Sequence, residues 1–276
     1  MQPLFEKNYS KEGFSVSHRI GAETNERVIH ALHSHLTYEI IYYMAGEASF
    51  QIEAESYNSS PGDLILINRQ AFHRIFNLSE KYERAVIQID CRLGSLFGND
   101  INLFKFFSNA SKAGSCIIRK EIIEKNNLDT RIKYLLELCA DDNPENSLRL
   151  ACNLMLLLLD IGTLIDNTTE PQNKPVDKFI NGAIEYISGN LHSDFSLGDI
   201  AKSIYISKFY LCRLFKEKTG ISIKSYIQIK RVYEAHSLIT QGEPSGSASL
   251  KVGFNNYSNF YKAYKKIIGR NPKSYQ

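Results

Sequence analysis

A long amphipathic segment near the carboxyl end constrains the fold of this chain more than any other feature. Within residues 222–240, apolar side chains recur every three to four positions, as they do on one face of a helix. These residues are Tyr226, Ile229, Val232, Ala235, Leu238 and Ile239. Gly220 precedes the segment and Gly242 follows it, so both ends are punctuated. A helix over this span would be roughly 28 Å long, close to the ~34 Å of one turn of B-DNA.

A compact basic unit is predicted immediately upstream of this helix. Ser196-Leu-Gly-Asp199 fits a capping box, and Ser207 can cap a second helix over Lys208–Thr219. The inward face of that second helix is Leu211, Leu214 and Phe215. The outward residues are Lys208, Phe209, Cys212, Arg213 and Lys216. A short helix, a tight turn and an exposed basic helix are the layout of a helix-turn-helix unit.

A second unit of the same plan is predicted downstream. Its exposed helix has the inward face Phe260, Ala263, Tyr264 and Ile267. The outward candidates are Asn256, Tyr257, Ser258, Asn259, Tyr261 and Lys262. Residues 244–250 contain several serines and a glycine, whose low helix propensity predicts a looser second unit. A single basic amphipathic helix is commonly only a solvated surface helix. Two such units about one DNA turn apart instead favour binding to double-stranded DNA.

Residues 179–275 carry the pattern of a known family at many positions. The matching pieces are Leu197-Gly-Asp-Ile-Ala201, Leu211-Cys-Arg-Leu-Phe-Lys216, Thr219-Gly220, Tyr226, Arg231, Ala235, Val252-Gly-Phe254, Phe260, Gly269-Arg-Asn-Pro272 and Tyr275. This stretch resembles the DNA-binding domain of AraC/XylS-type transcription regulators. The resemblance implies two helix-turn-helix units on a linking helix, which address successive major grooves. It also implies that the outward residues named above contact DNA, and that RNA polymerase is a partner if the protein is an activator.

Charge is distributed unevenly along the chain. Residues 177–276 contain 15 Lys and Arg against 7 Asp and Glu, a net charge of +8, whereas the remainder contains 18 against 23, a net charge of −5. A basic end on a mildly acidic body is typical of nucleic-acid binding by one domain only. Residues 167–177 are polar, contain two prolines and lack periodicity, which predicts a linker before a DNA-binding domain at 178–276.

The first ninety residues have the composition of β-strands. Runs rich in β-branched and aromatic residues alternate with turn signals at Gly46, Pro61-Gly62 and Asn68, which predicts a sandwich or small barrel. The predicted strands are Tyr38–Met44, Ser49–Glu53, Asp63–Ile67 and Arg84–Asp90. The predicted fold class is therefore α+β: a barrel with flanking helices, followed by an all-α domain of two helix-turn-helix units joined by a linking helix.

Within this region, His33-Ser-His35 with Glu39 and Gly46 resembles the first motif of cupins. Pro61-Gly62-Asp63, His73 and Asn77 resemble parts of the second motif, although residues 68–72 lack the expected proline- and glycine-bearing turn. AraC-type regulators often carry a cupin-like sensor barrel before the DNA-binding domain. The resemblance therefore implies an effector-sensing barrel at residues 1–98. The predicted walls of the effector site are His33, His35, Glu39, Tyr43, Phe72 and His73.

The same residues also allow a metal site. His33, His35 and Glu39 share strand parity, and with His73 they would supply the three histidines and one glutamate that metal-containing cupins use. The alternative is that they only line a pocket or hydrogen-bond the barrel mouth. We favour a small organic effector, with no metal and no cofactor.

Helices are predicted between the barrel and the linker. Glu121–Cys139 is periodic, and Asn146–Ile165 is rich in leucine around most of its circumference. In the family, such helices dimerise the sensor domain, so residues 99–166 are predicted to form a homodimer, with a core pair inside a monomer as the alternative. Asp160 interrupts the apolar helix, so a membrane span is not expected. The scattered cysteines and the absence of a signal peptide favour the cytoplasm.

Two functions remain open at this level. The first is a transcription regulator, an activator or a repressor, that responds to a small-molecule effector. The second is a metal-dependent cupin enzyme, an isomerase or dioxygenase, with a fused DNA-binding domain. Because the sequence contains no constellation of a nucleophile and a base, we predict no catalytic residues and favour the regulator.

Overall fold

The computed structural model describes residues 5–22, 32–97, 102–112, 116–140, 143–167 and 178–272. The chain divides into two compact units, Met1–Pro175 (the N-terminal unit) and Val176–Gln276 (the C-terminal unit). The first combines antiparallel sheets with helices, and the second is helical. The predicted α+β fold class is therefore confirmed.

The N-terminal unit contains two antiparallel sheets. The strands are β1 (Phe5–Lys11), β2 (Phe14–Ala22), β3 (Tyr38–Ala45), β4 (Ala48–Ile52), β5 (Glu55–Ser59), β6 (Leu64–Ile67), β7 (His73–Asn77), β8 (Lys81–Ile89) and β9 (Ile117–Ile118). In the described part of the chain, the larger sheet has the order β1-β2-β8-β3-β6-β9, and the smaller has the order β5-β4-β7. The sequence predicted β3, β4, β6 and β8 within a few residues but did not delimit the others.

Side-chain alternation divides the core of this unit into two layers. On β3, Ile40 and Tyr42 face a cluster that includes helical residues, whereas Ile41 and Tyr43 face a cluster shared with the smaller sheet. The larger sheet is thus covered by helices on one face and by the smaller sheet on the other. Burying each of these apolar side chains stabilises the fold by about 1.5–3 kcal/mol.

The helices of the N-terminal unit are α1 (Lys105–Lys112), α2 (Lys120–Lys125), α3 (Leu128–Leu138) and α4 (Pro144–Asn167). The prediction of one helix over Glu121–Cys139 is wrong, because the helix is interrupted between α2 and α3. Asn127 takes a left-handed conformation there, with φ 56°. Asparagine tolerates this conformation better than most residues, and it interrupts the helical hydrogen bonds.

Helix α4 is apolar on more than its buried face. Leu150, Leu154 and Ile161 are buried against α3 and the larger sheet. By length and composition, Pro144–Asp166 could also cross a membrane, with 28% of the tested window buried. A helix of a water-soluble core passes the same test, so this observation is weak support for a membrane span.

The C-terminal unit is built from helices with local caps. They are α5 (Lys178–Asn190), α6 (Leu197–Ser203), α7 (Lys208–Thr219), α8 (Ile223–Thr240), α9 (Ser245–Lys251) and α10 (Tyr257–Ile268). The predicted capping box of Ser196 and Asp199 is present at α6. Helix α8 is the predicted linking helix, and Tyr226, Val232, Ala235 and Ile239 are buried on it as expected.

Helix α9 differs from the sequence expectation of missing core contacts. Ser245 and Ser249 are buried, and Ala248 and Val252 join the apolar cluster of this unit. The hydroxyl of Ser249 donates to the carbonyl of Gly246 at 2.7 Å, and that of Ser245 lies 2.9 Å from the hydroxyl of Tyr257. Local hydrogen bonds thus let serine occupy buried positions.

Candidate DNA interface and effector site

Helix α7 presents a polar and aromatic outer face. The Ser207 hydroxyl accepts a hydrogen bond from the Tyr210 amide at its start, and Gly220, at φ 83°, ends it, as predicted. Leu211, Leu214 and Phe215 are buried on the inner face. Of the predicted contact residues, Lys208, Phe209, Arg213 and Lys216 are exposed, and Cys212 is half-buried.

An aromatic patch beside α7 was not foreseen. Tyr205, in the turn that follows α6, is 94% exposed and has φ 58°, while Phe209 on α7 is 87% exposed. The guanidinium of Arg213 lies 5.5 Å from the ring of Tyr210. The sequence signal for Tyr205 was only its place in the predicted turn.

Helix α10 occupies the corresponding place in the second unit. The side chain of Asn256 accepts from the amide of Asn259, so it caps the helix. The hydroxyl of Tyr261 donates to Asn271 Oδ1 at 2.8 Å, and the hydroxyl of Tyr257 is bonded to Ser245. The predicted contact residues Ser258, Asn259 and Lys262 are exposed. The second surface therefore combines tethered tyrosines with free polar side chains.

Arg231 on α8 ties several segments of the C-terminal unit together. Its Nη1 donates to the carbonyl of Gly253 at 2.7 Å, and its Nη2 donates to the carbonyl of Ser193 at 3.0 Å. The guanidinium also lies 5.2 Å from the ring of Phe195. Burial lowers the pKa of Arg231, against the charge of Asp194. The linking helix is thereby fastened to the segment before α6 and to the turn before α10.

In the N-terminal unit, three histidines and a glutamate converge. One ligand atom from each of His33, His35 and His73 lies within 4.8 Å of the others. The expected cause, parity along one strand, is wrong, because β3 begins at Tyr38. Instead, His33 forms an isolated antiparallel bridge with His73 of β7. We call His33, His35, His73 and Glu39 the histidine cluster.

Backbone carbonyls orient two of these imidazoles. Nδ1 of His35 lies 2.9 Å from the carbonyl of Thr37, and Nδ1 of His73 lies 3.0 Å from that of Ala71. Because a carbonyl only accepts, each Nδ1 carries a proton and each Nε2 faces Glu39. The distances from these Nε2 atoms to Oε2 of Glu39 are 3.4 Å for His35 and 3.3 Å for His73.

The electrostatics of the histidine cluster favour an ionised Glu39 carboxylate. Burial alone would raise the pKa of Glu39, but hydrogen bonds and charge from His35 and His73 hold that pKa well below its usual range. Burial disfavours charge on His35 too, yet the Glu39 carboxylate raises the pKa of that imidazole above 6.5. A transition-metal ion, which prefers imidazole nitrogen and carboxylate oxygen, fits the same donors in place of the protons.

The remaining predicted effector residues are buried. Tyr43 points into the cluster between the two sheets and donates to Oδ1 of Asn77 at 2.8 Å. Phe72 is 4% exposed, and its amide donates to Oε1 of Glu53 at 3.3 Å. Tyr43 lies on the inner face four residues along β3 from Glu39, so it is separated from the histidine cluster by about 13 Å.

Comparison with known proteins identifies both modules. Residues 17–158 match the AraC-like ligand binding domain family, and residues 200–276 match a helix-turn-helix domain family. The chain is 31% identical over 130 residues to the arabinose operon regulatory protein of Escherichia coli. The aligned region covers 46% of this chain and 44% of that protein. It is 23% identical over 232 residues to the lactose operon transcription activator of Staphylococcus xylosus, which covers 80% and 77%.

Another regulatory protein and a solved structure are also similar to this chain. Regulatory protein PocR of Salmonella typhimurium is 27% identical over 133 residues, which covers 48% of this chain and 44% of that protein. The chain thus spans less than half the length of PocR and of the arabinose regulator. A structure of ToxT from Vibrio cholerae, bound to an unsaturated fatty acid, has a TM-score of 0.42 at 14% identity and covers 97% of this chain and 96% of that chain. Because the ligand-binding family alone matches more than half of the chain, the protein belongs to the AraC family of regulators.

Proposed function

We propose that the protein is a sequence-specific DNA-binding transcription regulator whose activity is set by a small-molecule effector in the N-terminal unit. The observation that carries this proposal is the pair of exposed helices, α7 and α10, mounted on one linking helix of about one DNA turn in length. Both helices carry Lys or Arg on their outer faces, which suits the phosphate backbone.

The exposed residues divide into two proposed roles. Arg213 and Asn259 have side chains of the type that forms bidentate contacts with guanine and adenine edges in the major groove. Lys208, Lys216 and Lys262 act on phosphates, which position the protein without reading sequence. Phe209 is suited to an apolar contact with a thymine methyl group.

The test is DNA binding by the full chain as a function of salt. Genomic footprinting supplies the bound sites, and their affinities are then measured between about 50 and 200 mM salt. We expect affinity to fall steeply with salt, because counterions are displaced when the protein binds. Each neutralised phosphate makes the slope of log K against log salt more negative by about 0.9. Absence of binding at about 50 mM salt, or binding that is insensitive to salt, would contradict the proposal.

The effector is proposed to bind between the two sheets, within a sensor domain at residues 1–98. Support comes from polar groups that are buried in this unit: Glu39 and His73 of the histidine cluster, and Tyr43 with its Asn77 partner. Interiors of this kind, mostly apolar with a few placed polar groups, are typical of small-molecule sites. Residues 167–177 are proposed as the linker that connects this domain to the DNA-binding domain at 178–276.

A homodimer through residues 99–166 is proposed on the outer face of α4. Leu148, Cys152, Leu156 and Leu159 follow one another at helical spacing, and the three leucines are 68%, 46% and 46% exposed. In a two-fold dimer the same stripe would face itself. The helix also packs on α3 within one subunit, so an intramolecular core and a dimer surface coexist on it.

Sedimentation of the full chain tests the dimer. We expect Leu156→Glu to convert dimer to monomer, whereas Lys125→Glu, at an exposed position on α2, should not. A parent protein that sediments as a monomer, or a dimer that survives Leu156→Glu, would exclude this interface.

Three further proposals are contact with RNA polymerase, activation rather than repression, and a cytoplasmic location. Transcription assays on the footprinted promoters address the first two.

A metal-dependent cupin enzyme is the second candidate, and the histidine cluster favours it. His33, His35, His73 and Glu39 would hold the ion, which would supply Lewis-acid chemistry. Metal analysis of the purified protein discriminates between the candidates. Stoichiometric Fe, Mn, Zn or Ni that is lost in His73→Ala would support this candidate, whereas DNA binding and effector response without bound metal would support the regulator.

A further inference from the structure

Two arginines lie side by side on the inner face of the larger sheet. Arg84 on β8 is directly opposite Arg19 on β2, and Tyr43 on β3 is directly opposite Arg84 on its other side. Directly opposed residues share one face of a sheet, with Cβ atoms about 5 Å apart. Because Tyr43 packs between the two sheets, this is the inner face. We call Arg19 and Arg84 the arginine pair.

Arg84 is buried and Arg19 is half-buried, and several of their donor atoms have no hydrogen-bond partner in the described part of the chain. Arg84 is 7% exposed, and its Nε and Nη1 atoms have no hydrogen-bond partner. Nε of Arg19 is also buried and unpaired. Within the described ranges of the chain, neither arginine forms an ion pair. The guanidinium of Arg84 lies 5.4 Å from the ring of Tyr82.

Neighbouring acids do not resolve this charge. Glu6 is opposite Arg19 on β1, but it is exposed and accepts from Asn8 Nδ2 at 3.3 Å. Glu83 lies on the other face of β8 and pairs with His18 at 2.8 Å. Glu39 is four residues from the Tyr43 position, at about 13 Å along the strand. Two like charges opposite each other, one of them buried, destabilise the fold unless an anion joins them.

Other polar groups mark the same end of the interior. Tyr43 is bonded to Asn77 of β7, and Asn77 and Ser59 both lie opposite Ala48 of β4. The Ser59 hydroxyl is buried and has no hydrogen-bond partner. An unpaired donor thus lies on the smaller sheet at the level of the arginine pair. Unsatisfied buried polar groups of this kind point to a bound molecule.

We propose that the arginine pair is the anion-binding end of the effector site, and that the effector is a small organic molecule carrying a carboxylate or phosphate group. This inference rests on the proposed function, because it assigns a chemical class to that effector. The guanidinium fork matches both groups in bidentate geometry, and two arginines supply enough donors for all their oxygens. The ligand would neutralise a charge that the described part of the chain leaves uncompensated.

Hydrogen exchange on the full chain tests the inference with defined probes. Sodium succinate and sodium phosphate, each at about 50 mM, are compared with sodium chloride of equal ionic strength. We expect at least one of the two anions to slow amide exchange in β2 and β8 roughly threefold or more, because a ligand that binds only the folded state stabilises it. The stronger anion identifies the carboxylate or the phosphate class.

Matched variants assign the effect to the arginine pair. Arg84→Met and Arg19→Met should each abolish the protection in β2 and β8. Arg74→Met should retain it, since Arg74 already donates to Oε1 of Gln51 at 2.7 Å. If Arg84→Met does not fold, Arg19→Met, at a half-buried position, still decides the question. Absence of protection by both anions in the parent protein, or equal protection in Arg19→Met, would overturn the inference.

A second readout does not depend on the probe. In chloride buffer, Arg84→Met should unfold at a urea concentration no lower than the parent protein, because the substitution removes an uncompensated buried charge. A lower midpoint would show that Arg84 already has a stabilising partner and would overturn the inference. Salt-dependent DNA binding is measured in parallel. If the parent protein binds DNA but neither anion protects it, only this inference fails. If the parent protein does not bind DNA, the proposed function fails.

Discussion

The two units of the molecule place charged side chains in opposite ways. In the N-terminal unit, Glu39, Asp63 and Arg84 are buried. In the described part of the C-terminal unit, the buried polar residues are hydroxyl-bearing: Thr219, Ser245 and Ser249. The cations of α7 and α10 lie on the surface instead. Surface cations cost little and suit a long polyanion, whereas a buried charge is costly unless a specific partner neutralises it.

We therefore expect single substitutions to have different effects in the two units. Removal of a paired buried charge in the N-terminal unit, such as that of Asp63, lowers stability, because its partner is left unpaired in a medium of low polarity. A change at a surface cation of the C-terminal unit alters DNA binding and leaves stability nearly unchanged.

The largest effect is expected at Asp63 of the N-terminal unit. Its carboxylate accepts from Arg119 Nη1 at 2.7 Å and from the amides of Ser60 and Lys120, both at 3.0 Å. Asp63→Asn should lower the free energy of unfolding by about 3 kcal/mol, since the charge is lost and an amide group meets other donors. Urea unfolding measures the change.

Asp129→Asn is the matched control for Asp63. Asp129 pairs with Lys133 at 3.0 Å, and the lysine side chain is 57% exposed. We expect a loss below about 1 kcal/mol. Equal losses at Asp63 and Asp129 would remove the distinction between buried and surface charge on which the comparison depends.

The second prediction concerns Arg231, the half-buried cation of the C-terminal unit. Arg231→Met should cost about 2 kcal/mol of stability, because the carbonyls of Ser193 and Gly253 each lose a charged donor. The exposed Lys224→Met should change stability by less than about 0.5 kcal/mol. If Arg231→Met were equally mild, water would be replacing both hydrogen bonds, and α8 would not need this fastening.

The third prediction separates sequence reading from phosphate contact on α7. Arg213→Ala should weaken binding to the cognate site by about 1.5 kcal/mol and relax preference at one base pair. Lys216→Ala should instead weaken all duplexes alike and flatten the salt slope by about one unit. Titration of cognate and random duplexes measures both. Equal loss on both duplexes for Arg213→Ala would place that side chain on a phosphate.

The smallest effect is expected at Gly246 on α9. A Cβ added there would meet no atom within 4 Å, so Gly246→Ala should stabilise the second helix-turn-helix unit by about 0.5 kcal/mol through helix propensity. Hydrogen exchange of α9 and α10 without DNA measures the gain. If α9 is loose before DNA binds, the same variant should also bind DNA more tightly. Unchanged affinity would mean that the buried serines already hold the helix in place.

Local features of the C-terminal unit could be predicted closely. Helix α7 runs over Lys208–Thr219 as predicted, because Ser207 and Gly220 act on the helix through bonds only a few residues away. The inner faces of α7, α8 and α10 follow the period of the helix itself. The break at Asn127 was missed because apolar periodicity continues across it, and only the backbone conformation reveals it.

The sequence by itself determined the order of the two units, the helix-turn-helix plan and the outward residues of α7 and α10, because helical periodicity and caps are local. Tertiary structure alone decided the interior of the N-terminal unit. His33 meets His73 through a strand bridge, and Arg19 meets Arg84 through the pairing of β2 with β8. Strand pairing joins residues far apart in the chain, and a shift of one residue would turn each side chain to the opposite face. Register between distant strands therefore fixed which charges share the core.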